Sequence, residues 1–479
     1  MSEFSEMLES YVTAKKVNKY QMAKYLSVDR SSLHKIIQGQ RNAPSKDLVL
    51  RIGNYLELTP YEIKELLELY SISLVSPDIY YRRKNVDTFI RSFHTEPTLI
   101  DMPGFQNEEL SLFEDPVRPF HKIGKNLEYL IYHLVVQENK EECGEIKFLG
   151  TPGLPGFSNI FPMVKEQTSL KHILPLSQYS GILEVRKDRN FHSLCQTISL
   201  YAQFADHGVR YRTTYYHGND FSHSKFPPFP YLIVTTSFAL QISSDYQEAI
   251  LYSDKAMVRY FHQIFDDLYE LTSPLLLPVQ DLHSQLALAV KIMQNRNTEE
   301  IHFSLLPCLV PFLEEREIQK YLFSDLPERK QFMEQLNKYI KSLNLRHKKI
   351  HPVMFMSENG IRRFMETGRF DEFSNDFYLP LHVEDRKAVL QCFIKHSSNY
   401  DIRLLKEDIG NVTSGLKIYI SDSIGYLQFM TNSGKIMLLS IENPNFIASF
   451  KDYFESLDSD QYDTGKEAMD KILRIIDSY

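Results

Sequence analysis

Six polar side chains that can form hydrogen bonds lie close together near the start of the chain. They are Arg30, Ser31, Ser32, His34, Lys35 and Gln38. Arginine or lysine paired with guanine, and glutamine paired with adenine, are favoured contacts with base edges in the major groove of DNA. If this stretch forms a helix that turns these side chains outward, it has the chemistry to read a base sequence.

Positive charge is concentrated around the same stretch. Between Lys15 and Arg51 the chain has nine basic residues and two acidic ones, although its formal net charge is -8. A local basic surplus in an acidic chain is typical of a face that contacts DNA phosphates. A solvated basic patch with no partner is the alternative interpretation.

The spacing of apolar residues predicts five short helices over the first seventy residues. Three polar residues that precede helices are predicted as N-caps: Asn18, Asp29 and Thr59. The fourth helix is predicted to start near Ser45. The residues predicted to face the core are Phe4, Met7, Leu8, Tyr11, Met22, Ala23, Leu26, Leu33, Ile36, Ile37, Leu48, Leu50, Ile52, Leu56, Ile63, Leu66 and Leu67. Residues 27–29 form a tight turn between the second and third helices, and Gly39 closes the third.

Residues 18–23, 28–36 and 39–44 together resemble the helix-turn-helix of the Cro/C1-type (XRE) family of transcriptional regulators, and the resemblance covers residues 4–70. It implies a five-helix, lambda-repressor-like fold whose third helix enters the major groove. The family pattern has two departures in this chain, at Lys19, where glutamine is common, and at Ile37, where glutamate is common.

The resemblance also implies roles for single residues. Bases would be read by four of the six outward side chains: Arg30, Ser31, Ser32 and Lys35. Phosphates would be held by Lys19, Arg41 and Asn42. His34 and Gln38 complete the predicted base-contacting set because they also face outward. A helical bundle with no DNA role, or one that binds protein, is the alternative.

The length of 479 residues exceeds that of a typical domain several times, so a multidomain protein is expected. We predict an all-α helix-turn-helix domain over residues 1–74 and a mainly helical connecting region over 75–142. A large α/β (α+β) region follows, with a first unit over 143–280, a helical connector over 281–345 and a second unit over 346–479.

The two α/β units show the same order of predicted elements, which indicates an internal duplication. Each unit is predicted as helix, strand, hairpin, strand and helix, with the hairpins at 231–242 and 416–430. The apolar positions of the two final helices match at one constant offset: Met257, Val258, Phe261, Ile264, Phe265 and Leu268 with Phe446, Ile447, Phe450, Tyr453, Phe454 and Leu457. A ligand cleft between the units is expected. The nearby aromatics Tyr419, Tyr426 and Phe429 either line such a pocket or, as we prefer, belong to the core.

Two such halves resemble the phospholipase-D-like fold. Its chemistry requires His-x-Lys, four further residues and then Asp, and neither His223-Ser224-Lys225 nor His347-Lys348-Lys349 is followed in this way. The glycines of residues 150–156 are not followed by the Gly-Lys-Ser/Thr of a phosphate-binding loop. The resemblance therefore implies an inactive fold, and we expect no enzyme activity, no catalytic residue and no cofactor.

Candidate metal ligands are sparse. His347 and His351 lie four residues apart, but Pro352 follows and no neighbouring acidic or cysteine residue completes a site, so a surface pair is the interpretation. His217, His223 and the prolines at 227 and 228 indicate a solvated insertion or a ligand lid. Four widely separated cysteines are predicted as buried thiols rather than metal ligands: Cys143, Cys195, Cys308 and Cys392.

Residues 1–10 contain three glutamates and no basic residue, and no apolar run reaches the ~18 residues of a membrane helix, so a cytoplasmic protein is expected. The sequence predicts a DNA-binding transcriptional regulator, a homodimer on double-stranded DNA, whose α/β region senses a small molecule or peptide. The alternatives are an antitoxin-like interaction protein carrying a DNA-binding module and, less favoured, an enzyme fused to one.

Overall fold

The computed structural model describes residues 2–93, 115–177, 189–218, 229–279, 299–326, 329–431 and 433–479. The described residues fall into two compact units, of which one ends at Asn85 and the other begins at Val86. The first unit is helical, and the second is a mixed β-sheet with helices. The protein is therefore multidomain, with an N-terminal helical region followed by a large α/β region, as the sequence predicts.

The helical unit is built from short, capped helices. In chain order they are α1 (Glu3–Ala14), α2 (Lys19–Leu26), α3 (Arg30–Ile37), α4 (Lys46–Tyr55), α5 (Pro60–Leu74) and α6 (Pro77–Ser92), the last of which continues into the second unit. The predicted N-caps Asn18, Asp29 and Thr59 are confirmed, since each side chain accepts a backbone N–H from the first turn of its helix. Ser45 caps α4 in the same way. These bonds satisfy donors that a helix leaves free at its start.

The core of the helical unit follows the predicted pattern with one clear exception. Leu33, Ile36 and Ile37 of α3 are buried. Leu50 was predicted to face inward but is 39% exposed, so that prediction is wrong. The helical period places Leu48, Val49 and Ile52 on the inner face of α4, and Leu50 is then about half a turn away. Among the other predicted positions, Met7, Tyr11, Ile63 and Leu67 are partly buried around the core.

Fifteen strands among the described residues form one sheet. They are β1 (Val117–His121), β2 (Glu145–Leu149), β3 (Ser169–Ser177), β4 (Arg210–Gly218), β5 (Tyr231–Val234), β6 (Ala239–Ile242), β7 (Glu248–Tyr252), β8 (Ser273–Val279), β9 (Glu300–Ser304), β10 (Val353–Ser357), β11 (Asp401–Leu405), β12 (Lys417–Ser421), β13 (Gly425–Met430), β14 (Ile436–Ile441) and β15 (Tyr462–Asp463). Both predicted hairpins are confirmed, as β5–β6 and β12–β13.

The strand order is β1-β7-β6-β5-β2-β3-β4-β8 in one half and β14-β13-β12-β9-β10-β11-β15 in the other. The pairs β2–β3, β3–β4, β9–β10 and β10–β11 are parallel. The remaining pairs are antiparallel, including β8–β14, which joins the two halves. The carboxyl ends of three parallel strands therefore lie at one edge of each half.

Helices connect and cover the strands of this sheet. They are α7 (Asn126–Glu138), α8 (Phe157–Ile160), α9 (Arg189–His207), α10 (Lys255–Glu270), α11 (Glu315–Tyr321), α12 (Arg329–Ile350), α13 (Glu358–Thr367), α14 (Val383–Lys395), α15 (Pro444–Glu455) and α16 (Gly465–Asp477). Among the described helices, none combines the length and the apolar character that crossing a bilayer requires.

The aromatic residues considered as a possible pocket lining belong to the core. Phe429, Phe446 and Phe450 are buried, and Tyr419 stacks on Tyr426 with ring centroids 4.9 Å apart. The end of α6 adds Phe89, whose ring lies 5.9 Å from that of Phe450. Aromatic pairs at such distances contribute beyond the area they bury.

Two further predictions need correction. The segment 281–345, predicted as a helical connector, contains the strand β9 among its described residues. The sequence did not indicate this strand, because five residues are too few to show a clear period. The cysteines are free, but Cys143 is exposed and the other three are only partly buried. The prediction of buried thiols is therefore wrong for Cys143, which lies in the turn before β2.

His172 on β3 makes the stability of the α/β unit dependent on pH. Its buried ring contacts the Tyr211 hydroxyl at 2.8 Å and the Gly150 carbonyl oxygen at 3.0 Å, and burial lowers its pKa from 6.5 to about 3. Below pH 6.5 the unfolded chain binds a proton that the folded chain does not, so stability is lost as pH falls from there toward 3. We expect a loss of about 2 kcal/mol between pH 7 and pH 5 from this residue.

The measurement is urea unfolding at several pH values. His172→Leu should have a shallower pH dependence than the wild type, whatever its overall stability. His207→Gln, at an exposed histidine of α9, is the matched control and should keep the wild-type slope. Equal slopes for His172→Leu and wild type would contradict the assignment.

Candidate nucleic-acid interface

The α3 helix separates an apolar face from a polar one. Leu33, Ile36 and Ile37 are buried in the core of the helical unit. On the other side, four of the predicted base-contacting residues are exposed: Arg30, Ser31, His34 and Lys35. The other two, Ser32 and Gln38, are partly buried. The structure therefore brings five hydrogen-bonding side chains into the first two turns of one helix, where a recognition helix carries its base contacts.

The turn before α3 fixes where this helix begins. Ser27 has a left-handed conformation, with φ 55° and ψ 37°, and ends α2. Asp29 Oδ2 then accepts hydrogen bonds from the backbone N–H groups of Ser31 at 2.8 Å and Ser32 at 3.1 Å. Hydrogen bonds from the Ser31 side chain and from these backbone groups lower the pKa of Asp29. The carboxylate therefore stays ionised and anchors the first turn of α3.

Two of the predicted DNA-contacting residues already have partners inside the helical unit. Gln38 Nε2 donates to Glu9 Oε1 at 2.6 Å, which ties the end of α3 to α1. Asn42 Nδ2 donates to the Ser73 carbonyl at 3.3 Å. Both side chains would have to exchange these bonds for contacts with DNA, so they are weaker candidates than Arg30 or Lys35.

Several basic residues of the charged stretch have structural roles that their sequence does not reveal. Arg51 donates to the Leu26 carbonyl at 3.0 Å, at the end of α2, and pairs with Asp47. Lys15 donates to the Glu57 carbonyl. By contrast, Arg30, Lys35 and Arg41 are exposed and form no ion pair within the part of the chain that the structure describes. These three remain available to bind an anionic partner.

The start of α2 is the candidate phosphate-binding region. Lys19 is its first residue and is partly buried. Asn18 Oδ1 accepts the N–H groups of Tyr20 and Gln21 at 3.0 and 3.2 Å. A helix N-terminus attracts anions because its partial positive charge is not neutralised there. Lys19 at this helix end is therefore the candidate phosphate contact, while two of the backbone donors there already have Asn18 as their acceptor.

Removing the cap of α2 tests how firmly the two-helix motif is held. We expect Asn18→Ala to destabilise the helical unit by about 1 kcal/mol, because two backbone donors lose their acceptor. Thermal unfolding followed by far-ultraviolet circular dichroism measures the change. Asn54→Ala, at an exposed position of α4, should leave the midpoint unchanged. A wild-type midpoint for Asn18→Ala would show that the cap does not stabilise the motif.

Outside the helical unit, the histidine predictions have different outcomes. His347 is 2% exposed on the inner face of α12, so its interpretation as part of a surface pair is wrong, while His351 is exposed. An acidic neighbour, Glu300, comes from β9. The 47 positions between Glu300 and His347 hide this proximity in the sequence. His217 is an exposed residue of β4, and His223 and the prolines at 227 and 228 lie outside the described residues.

Comparison with known proteins assigns no family. No protein-family model matches the sequence, and no curated protein matches it significantly. Among solved structures, the chain is similar to an archaeal chromatin protein, TrmBL2, described as showing a novel mode of DNA binding. The sequences are 14% identical, the TM-score is 0.19, and the match covers 42% of this chain and 59% of the archaeal one, less than two thirds of its length. At that TM-score the likeness carries no argument about fold or function.

Proposed function

We propose that this protein is a sequence-specific DNA-binding transcriptional regulator with a Cro/C1-type helix-turn-helix domain, and that α3 is its recognition helix. The observation that carries the proposal is the two-sided character of α3. Its apolar side is buried, its start is fixed by Asp29, and its outer side carries Arg30 and Lys35 without ion-pair partners among the described residues. A helix of this kind, preceded by a capped helix and a tight turn, suits the major groove.

The available side chains divide by role. Arg30 and Lys35 are suited to guanine, and Ser31, Ser32 and His34 add donors and acceptors beside them. Lys19 and Arg41 are suited to phosphates, which set the register of a protein on DNA without specifying sequence. Gln38 and Asn42 join the contact set only if DNA displaces their internal partners.

We further infer that the α/β region is an internal duplication, related to the phospholipase-D-like arrangement without its chemistry. Three observations support this. Apart from β1, which has no counterpart, the halves have the same strand order and the same parallel pairs. The helices α10 and α15 occupy matching places after β7 and β14. Five apolar positions of these helices match at one offset, whereas the sixth, Leu457, lies beyond the end of α15. We also propose that the protein binds DNA as a homodimer.

An effector site is part of the proposal. A cavity of about 600 Å³ lies beside β4 and β8, and Met437 of β14 also lines it. Its walls include Arg210, Arg212, Tyr211 and Tyr269. This volume is in the range of small-molecule sites. Aromatic compounds with an anionic group are therefore the class to screen for an effect on DNA affinity.

The experiment that tests the proposal is selection of bound DNA from a random pool with full-length protein at moderate salt. We expect an enriched motif, two-fold symmetric because a dimer presents two recognition helices. An Arg30→Ala, Lys35→Ala double variant is the control and should lose the motif. No enrichment would overturn the proposal and direct attention to a protein partner instead.

A further inference from the structure

A cluster of three potential metal ligands lies in the second half of the sheet. Glu300 and His302 are two residues apart on β9 and therefore lie on the same face of the strand. His347 comes from α12. One ligand atom from each residue lies within 4.8 Å of the others, and no other such group occurs in the described part of the chain.

His347 has an unusual environment for a buried histidine. Its Nδ1 lies 3.0 Å from the Tyr400 hydroxyl, while its Nε2 is buried and has no hydrogen-bond partner among the described residues. By comparison, both ring nitrogens of the buried His172 have hydrogen-bond partners, the Tyr211 hydroxyl and the Gly150 carbonyl. A buried polar atom without a hydrogen-bond partner destabilises the folded protein. The Nε2 atom of His347 is therefore free to bind a metal ion.

The two oxygens of the Glu300 carboxylate have different neighbours. Its Oε1 accepts a hydrogen bond from Arg346 Nε at 2.7 Å, and its Oε2 lies 3.3 Å from His302 Nε2. In metal sites, the carboxylate oxygen or ring nitrogen that does not bind the metal is commonly hydrogen-bonded to a neighbouring residue. Arg346 and Tyr400 match that role for Glu300 and His347.

We propose that Glu300, His302 and His347 bind one divalent first-row transition metal, such as Zn²⁺. Two imidazoles and one carboxylate are a known ligand set for such ions, and three protein ligands leave a position open for water or a small molecule. The two imidazole nitrogens in this ligand set disfavour Ca²⁺ and Mg²⁺, which rely on carboxylate and carbonyl oxygens.

This site is independent of the proposed DNA-binding function, and its test contains no DNA. Metal-free full-length protein is titrated with Co²⁺, which reports imidazole ligation by visible absorption. We expect one equivalent to bind and Zn²⁺ to displace it. His302→Asn and His347→Gln should each remove the signal. His351→Gln is the matched control, since it alters an exposed histidine four residues from His347, and should leave the signal unchanged.

The ligand variants could lose the signal because they fail to fold. Tyr400→Phe is therefore a second test of metal affinity, because it keeps all three ligands. We expect it to weaken metal affinity about 10- to 100-fold, since the hydroxyl no longer orients the His347 ring. Zn²⁺ should also raise the unfolding temperature of wild-type protein and not that of His347→Gln. Folded wild-type protein that binds no Co²⁺, or Co²⁺ binding that survives both histidine substitutions, would overturn the proposal.

Discussion

Full-length protein carrying Arg30→Ala and Lys35→Ala is expected to bind the selected DNA sequence at least about a hundredfold more weakly than wild type. Each well-placed contact with a base edge discriminates by about 1 to 3 kcal/mol. The two side chains are exposed on successive turns of α3 and make no described ion pair that their removal would free. The loss should therefore appear in binding, measured by fluorescence anisotropy, with the unfolding midpoint unchanged.

The companion variant Lys19→Ala, Arg41→Ala separates base reading from phosphate binding. We expect it to weaken binding to all sequences alike and to reduce the salt dependence, with the slope of log K against log salt falling by about 0.9 for each contact. The Arg30, Lys35 variant should instead lose its preference for the selected sequence over random DNA. Lys64→Ala, on α5 of the same unit, is the control for general charge loss.

A loss of affinity in the Arg30, Lys35 variant that is equal for selected and random DNA would contradict base reading by α3. It would leave α3 as a phosphate-binding surface and move sequence recognition elsewhere. Wild-type affinity in both variants would exclude the whole basic face.

The helical unit could be predicted from sequence because its determinants are local. Asn18, Asp29, Ser45 and Thr59 each cap a helix that begins at the next residue, and the apolar period of the helices then fixes which side is buried. The prediction failed at Leu50, where leucine alone suggested burial but the period of α4 did not. It also could not foresee that Gln38 is bonded to Glu9, since that contact joins residues 29 positions apart.

The candidate metal site was missed for the same physical reason. Glu300, His302 and His347 have no recognisable spacing, and only the packing of α12 near β9 brings them together. The sequence instead offered His347 with His351, a pair at helical spacing that the burial of one and the exposure of the other rule out. The strand order of the sheet could not be predicted either, because a single sequence does not indicate which distant strands pair.

Gly360 on α13 illustrates a constraint that only the packing reveals, and its replacement by alanine should destabilise the α/β unit by about 3 kcal/mol or more. A methyl group there would lie 1.9 Å from the Leu305 carbonyl oxygen and 2.7 Å from the Leu306 nitrogen. Both are backbone atoms, and Leu305 also accepts the N–H of Ser357, the N-cap residue of α13. The clash therefore cannot be relieved by a side-chain rotation.

The sign of this effect makes it a strict test of how α13 packs. Alanine in place of a helical glycine ordinarily stabilises a helix by about 1 kcal/mol. Urea unfolding monitored by circular dichroism should show an earlier transition for Gly360→Ala, whereas Gly153→Ala, whose added methyl group would meet nothing closer than 3.6 Å, should unfold like wild type. A Gly360→Ala variant as stable as wild type, or more stable, would contradict the packing of α13 against the Leu305 carbonyl. The nearest atoms belong to the backbone of Leu305 and Leu306 and cannot rotate away from the methyl group.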